Sequence, residues 1–172
     1  PLYSSAASDV YKRQVIACCG QWTRDFAKRA GVNVPLVSVE HQYMVTEPIA
    51  GVSPNMPTLR DPDRLTYYKE EVGGLVMGGY EPNPIMWAKN GIPKGFHYQL
   101  LDSNFDHFEP IMEQALGRVP ALQTAGIKTL TNGPESFTPD GNFILGEAPE
   151  LKNFYVGAGF NAYGIAAGGG AG

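Results

Sequence analysis

Apolar and polar residues change period along this chain, and the changes mark its elements. Val15-Ile16-Ala17-Cys18-Cys19 is one continuous apolar run, the pattern of a short strand buried on both faces. Gly20 breaks it. Gln21 to Ala30 then has helical spacing, with Trp22, Phe26 and Ala30 at i, i+4 and i+8 and Gly31 as a stop. From Leu36 to Thr46 the period falls to two. Val37, Val39, His41, Tyr43 and Val45 share one face, as in a strand of a mostly antiparallel sheet. Leu65 to Glu70 and Gly74 to Gly79 read as two strands joined through Glu70-Glu71-Val72-Gly73. Residues 81 to 104, rich in Pro, Asn and Gly, read as a long surface loop. Helical spacing returns from Phe105 to Val119, with Phe108, Ile111, Met112, Ala115, Leu116 and Val119 on one side and Pro120 ending it. Gly126 to Thr131 is a further strand. Thr138-Pro139-Asp140-Gly141 is a turn signal, followed by Phe143-Ile144-Leu145-Gly146.

The last block says most about chemistry. A short apolar strand, Phe154-Tyr155-Val156, meets a turn and then a run in which Gly fills 7 of the last 16 positions. Small residues let backbone approach a flat ligand and leave N–H groups open at a helix start. That suits a dinucleotide such as a flavin. Strand, Gly20, helix is the same geometry earlier in the chain; either motif alone also fits a plain glycine turn.

Composition narrows the class. A hydrophobic content of 43% with 11% aromatics belongs to a packed chain rather than a disordered one. The net charge is −4 and no basic run exists, which argues against nucleic acid or an anionic membrane as partner. No apolar run approaches the roughly 18 residues that span a bilayer. Cys18 and Cys19 are adjacent in an apolar run, so buried strand thiols are expected rather than a disulfide framework, and no metal site is expected.

Residues 1 to 14 share no pattern with the rest of the chain. Asp9-Val10-Tyr11-Lys12-Arg13-Gln14 back-translates naturally to GATGTGTATAAGAGACAG, which resembles a transposon-end adapter used in sequencing libraries. The segment therefore reads as a non-native, adapter-derived stretch and is set aside from the fold. Without it the net charge moves from −4 to −5, through loss of Lys12, Arg13 and Asp9. The chain then reads as a fragment, with sequence expected on both sides.

With these pieces placed, the chain resembles the FAD-dependent amine oxidoreductases of the D-amino-acid oxidase superfamily, and within it the dimethylglycine and sarcosine dehydrogenases. The matching stretches are Cys19-Gly20-Gln21-Trp22, Val39-Glu40-His41-Gln42-Tyr43, Met56-Pro57-Thr58-Leu59-Arg60-Asp61-Pro62, Tyr67-Tyr68-Lys69-Glu70, Gly133 to Gly141, and Val156-Gly157-Ala158-Gly159-Phe160-Asn161. They run in family order over nearly all of residues 15 to 172.

The resemblance implies an α/β (α+β) fold: a partial Rossmann-like FAD-binding domain, residues 15–35 and 132–172, with an inserted, mostly antiparallel β-sheet substrate domain, residues 36–131. It implies FAD as cofactor and a small methylated amino acid, such as dimethylglycine or sarcosine, as substrate. It implies that Gly20 and the block Gly159, Phe160, Asn161, Ala162, Tyr163, Gly164 and Ile165 bind the flavin. Tyr43 is the expected aromatic hydroxyl that steers substrate, with His41 beside it on the same strand face; the alternative for each is a packing residue. Arg60 and Arg64 are candidate cations for a carboxylate, against surface pairing with Asp61 or Asp63. The position of the flavin-linking cysteine in monomeric sarcosine oxidases is Gly133 here, and that of their carboxylate-binding lysine is Ala166. The resemblance further implies electron-transfer flavoprotein or oxygen as acceptor, and folate through a C-terminal domain outside this sequence. The expected compartment is bacterial cytoplasm or mitochondrial matrix. The competing reading is a non-catalytic relative, the regulatory subunit of pyruvate dehydrogenase phosphatase, or a fragment unable to hold FAD alone.

Overall fold

The computed structural model describes residues 13–172. The adapter-like segment falls almost wholly outside the described residues. In chain order the strands are β1 (Val15–Ala17), β2 (Val37–Thr46), β3 (Leu59–Asp61), β4 (Thr66–Glu71), β5 (Gly74–Gly79), β6 (Met86–Trp87), β7 (Ile127–Phe137), β8 (Ile144–Glu147) and β9 (Phe154–Ala158). The α-helices are α1 (Thr23–Lys28), α2 (Phe105–Arg118) and α3 (Gly164–Ala171). The chain divides into two compact units, one of the residues up to 39 with 86–96 and 135–172, the other of residues 40–85 and 97–134.

In the first unit β9 is the middle of a three-stranded sheet, parallel to β1 and antiparallel to β8. Its core gathers Ala17, Ala27, Val34, Leu36, Phe154 and Val156, so α1 and the segment 32–36 cover one sheet face. The other face differs from expectation. Only Ala17 of β1 is buried; Val15 is 43% and Ile16 68% exposed. The strand also stops before the cysteines. Cys18 and Cys19 are free and exposed rather than buried strand thiols. The helix differs too. Residues 20–22 form a 3₁₀ turn, so the α-helical phase starts at Thr23 and the buried positions are Thr23 and Ala27, not Trp22, Phe26 and Ala30. Gly31, at φ 76°, ends it as expected.

In the second unit β3, β4, β5 and β2 lie side by side, all antiparallel, with β7 also paired to β2. The β4–β5 hairpin turns at Val72 and Gly73, both at positive φ (50° and 80°), the twist-matched two-residue turn. Helix α2 packs Phe108, Ile111 and Ala115 onto Met44, Tyr68 and Met77. Asn104 caps it, accepting from the His107 N–H at 3.1 Å. Gly79 lets it sit close, since a Cβ there would lie 2.8 Å from Ile111 Cγ2.

The alternation of β2 holds, but the buried side is the one that looks polar. Gln42, Met44 and Thr46 are buried, while His41 and Val45 are half-buried and Tyr43 is exposed. Gln42 is tolerated inside because its amide is used at both ends: Nε2 donates to the Asn104 carbonyl (3.1 Å) and Oε1 accepts from the Asn104 N–H (2.8 Å). Thr46 Oγ1 likewise accepts from the Leu75 N–H at 2.9 Å.

Candidate functional site

Two sets of residues carry the expected chemistry, one in each unit.

The first set is built on the parallel pair. Register Val15↔Phe154, Ile16↔Tyr155, Ala17↔Val156 puts the carboxyl ends of β1 and β9 together. The turn holding Gly20 and the turn holding Gly159 to Tyr163 therefore leave the same sheet end, where open α/β sheets take their ligands. Gly20 has φ 54°, and a Cβ built there would meet nothing within 4 Å, so the turn presents bare backbone to open space. Gly159 is different. At φ 70° its Cβ would overlap Thr138 Cγ2 and lie 3.0 Å from Leu36 Cδ2, so it is glycine for close packing. Asn161 and Ala162 follow at φ 50° and 69°, an unusual run for residues with a Cβ. Tyr163 is the N-cap of α3 without a side-chain capping bond, and Gly164 opens the helix. The N-cap side chain makes no capping bond to the first turn of α3, whose N–H groups carry the positive end of the helix dipole. Tyr163 is half-exposed and Ile165 fully exposed. Phe160 stacks on Phe143, centroids 5.2 Å apart and planes within 5°.

Thr138 ties this turn to the Thr138–Gly141 turn. Its N–H donates to Asn161 Oδ1 at 2.9 Å, and Asn161 Nδ2 donates back to Thr138 Oγ1 at 3.1 Å. Thr138 Oγ1 in turn donates to the Asn142 carbonyl at 2.7 Å. Beside it the Asn142 N–H donates to Asp140 Oδ1 at 3.1 Å, which holds the Asp140 carboxyl below its ordinary value.

The second set lies on the half-open face of the antiparallel sheet. Tyr43 pairs with Gly78 across β2–β5, and Gly78 pairs with Tyr67 across β5–β4. Facing residues point the same way, so both phenols stand on one face with a glycine between them. His41, on the same face, sets its ring 5.4 Å from that of Tyr80, and its Nδ1 lies 3.1 Å from Glu81 Oε2. The His41 and Glu81 side chains are only 11% and 4% exposed, a desolvated pair rather than a surface one. The Arg60 guanidinium lies over Tyr80, 5.1 Å from the ring centre, in cation–π range. Arg64 instead pairs with Asp61 at 3.8 Å, the surface pairing that was its alternative. His41 and Tyr43 were visible from strand periodicity. Tyr67, Tyr80 and Glu81 were not, because Tyr67 is brought there by strand pairing and Tyr80 and Glu81 by their contacts with His41. The described residues contain no cluster of three or more His, Cys, Asp or Glu able to hold a metal.

One unit thus carries a parallel strand pair with two small-residue turns at one end, and the other an antiparallel sheet with an aromatic face. The family model for FAD-dependent oxidoreductases (DAO) matches residues 4–172, and the chain belongs to that family. It is 46% identical over 158 residues to mouse mitochondrial sarcosine dehydrogenase, covering 92% of this chain and 17% of that protein. It is 44% identical to the formaldehyde-forming 4-methylaminobutanoate oxidase of Paenarthrobacter nicotinovorans, covering 91% of this chain and 19% of that protein. The chain thus spans less than a fifth of the length of these curated relatives. Among solved structures, L-proline dehydrogenase from P. horikoshii superposes with TM-score 0.68 at 24% identity, over 88% of this chain and 38% of that one, a likeness of fold. The α/β fold with an antiparallel sheet is that of these flavoenzymes.

Proposed function

We propose that this chain is part of a flavin-dependent dehydrogenase that oxidises the N-methyl group of sarcosine, dimethylglycine or a similar small methylated amino acid. The observation that carries the reading is the shared sheet end of β1 and β9, with Gly20 offering open space where a Cβ would be. The residues fit FAD: bare backbone at Gly20 and the Gly159–Ile165 segment would hold it, in the first unit. Bound there, FAD supplies a two-electron acceptor for the C–H bond beside the amine nitrogen. The first turn of α3, to which its N-cap side chain makes no capping bond, would provide N–H donors for negative charge.

In the second unit, Tyr43 presents its hydroxyl from the exposed side of β2 and takes the role of hydrogen-bonding the substrate carboxylate or steering the amine. His41, fixed by Glu81 and Tyr80, holds the local geometry of that face. Both named relatives act on substrates carrying a methylated secondary amine and a carboxylate, which supports that substrate class. Electron-transfer flavoprotein as acceptor and folate as one-carbon acceptor belong to this proposal for the whole protein. The test is direct. The full-length protein, loaded with FAD, is titrated anaerobically with sarcosine, dimethylglycine and 4-methylaminobutanoate. Bleaching of the flavin's visible band by one of them supports the reading; an unchanged spectrum with all three contradicts it.

A further inference from the structure

We propose that Asn161 is a positioning residue for the cofactor and acts through Thr138 rather than by touching the flavin with its own amide. The inference rests on the FAD reading and deepens it. The sequence puts Asn161 in the middle of the flavin-facing block, where a polar side chain invites a direct contact. The structure turns that side chain inward.

Its amide is engaged at both ends. Asn161 Oδ1 accepts from the Thr138 N–H at 2.9 Å, and Asn161 Nδ2 donates to Thr138 Oγ1 at 3.1 Å. The single Thr138 hydroxyl proton has two acceptors in reach, the Asn142 carbonyl at 2.7 Å and Asn161 Oδ1 at 3.3 Å, and the shorter contact is the carbonyl. Thr138 is 7% exposed, so a lost partner is not replaced freely by solvent. The same Thr138 presses its methyl against Gly159. One threonine therefore locks the turn at two points, by packing at Gly159 and by hydrogen bonding at Asn161. Between and beyond those points lie the left-handed residues at 159, 161 and 162 that swing the chain into α3. A left-handed backbone at Asn161 and Ala162 relaxes unless held. Holding it fixes the direction of the backbone N–H groups in the first turn of α3.

The roles separate experimentally. Asn161→Gly removes the clamp while keeping a residue content with positive φ, and Thr138→Val removes the hydroxyl while keeping the methyl against Gly159. Thr138→Ser restores the hydroxyl. Each is made in the full-length, FAD-loaded protein, and FAD dissociation constant and flavin midpoint potential are measured. N161G, which loses both amide bonds, is expected to weaken FAD about ten-fold; T138V, which keeps the main-chain N–H bond to position 161, is expected to weaken it measurably but less, with the double variant no worse than about N161G, since both act on one unit. A ten-fold larger loss for reduced than for oxidised FAD lowers the midpoint by about 30 mV. T138S, which keeps the hydroxyl but loses the methyl against Gly159, is expected to fall between the parent and T138V. The proposal is overturned if T138V keeps parental affinity and potential while N161G loses them, or if the two losses add in full. If the parent itself holds no FAD, the underlying reading fails instead.

Discussion

The phenol of Tyr67 lies over the backbone of Gly78, on the neighbouring strand, in the space that a side chain at position 78 would fill. Tyr43 stands on the other side of the same glycine. The row Tyr43, Gly78, Tyr67 is thus set by one missing Cβ.

Gly78→Ala is therefore expected to displace Tyr67 and cost about 1–3 kcal/mol of stability through overpacking. The alanine alone should be benign in a strand, so the cost belongs to the contact. Thermal unfolding of G78A, Y67A and the double variant checks this: the double variant should be much closer to Y67A than additive losses allow.

Tyr43→Phe removes one hydroxyl and leaves the ring. A hydrogen bond to a charged group is worth about 1.5–3 kcal/mol, so kcat/KM for a methylated amino acid should fall about 10- to 100-fold. Stability should barely change, because Tyr43 is 37% exposed. An unchanged kcat/KM would return Tyr43 to being a surface tyrosine.

Gly20→Ala separates backbone strain from cofactor space. A left-handed alanine costs about 1–2 kcal/mol, yet the protein's own atoms leave room for its Cβ. Flavin-free protein should lose about that much stability. FAD affinity should fall by well over ten-fold more, since the added methyl enters the space assigned to cofactor. Equal effects with and without FAD would remove Gly20 from the site.

Burial pushes the Tyr68 hydroxyl up from its ordinary value, with its hydrogen bond to Thr66 Oγ1 (3.0 Å) opposing only in part. A raised value means the folded state holds the proton more tightly than the unfolded one. The stability this brings is complete below the unfolded value of about 10 and is lost as pH climbs through the folded value. Tyr68→Phe lacks this term. The difference in unfolding midpoint between parent and Y68F should be constant from pH 7 to 9 and shrink above pH about 10; a constant difference throughout would contradict the assignment.

Strand and helix positions were legible wherever period spoke clearly. The β4–β5 hairpin, α2 and β9 fall within a residue or so of the pattern, and β2 keeps its alternation. What period could not tell was which side of β2 is buried. Two polar residues, Gln42 and Thr46, take inside positions because Asn104 and Leu75, distant in sequence, satisfy them. The short 3₁₀ turn at 20–22 shifted the phase of α1 and with it the buried stripe. Strand β7 runs to Phe137, past the expected end at Thr131. In the candidate site, Gly20 and the Gly159–Ile165 block were readable as small-residue turns. Their arrival at one sheet end was not, because it depends on β1 pairing with a strand nearly 140 residues later. Glu81 escaped notice for the same reason, since His41 reaches it across 40 positions.

We propose FAD-dependent oxidation of an N-methyl amino acid as the reaction to which this chain contributes. Its most direct test is anaerobic mixing of the FAD-loaded, full-length protein with excess sarcosine, monitored at the flavin's visible band, alongside the Y43F variant. Bleaching is expected in the parent, slowed about 10- to 100-fold in Y43F, as a lost charged hydrogen bond implies. A parent that binds FAD stoichiometrically and keeps its full flavin colour with sarcosine, dimethylglycine and 4-methylaminobutanoate alike would contradict it.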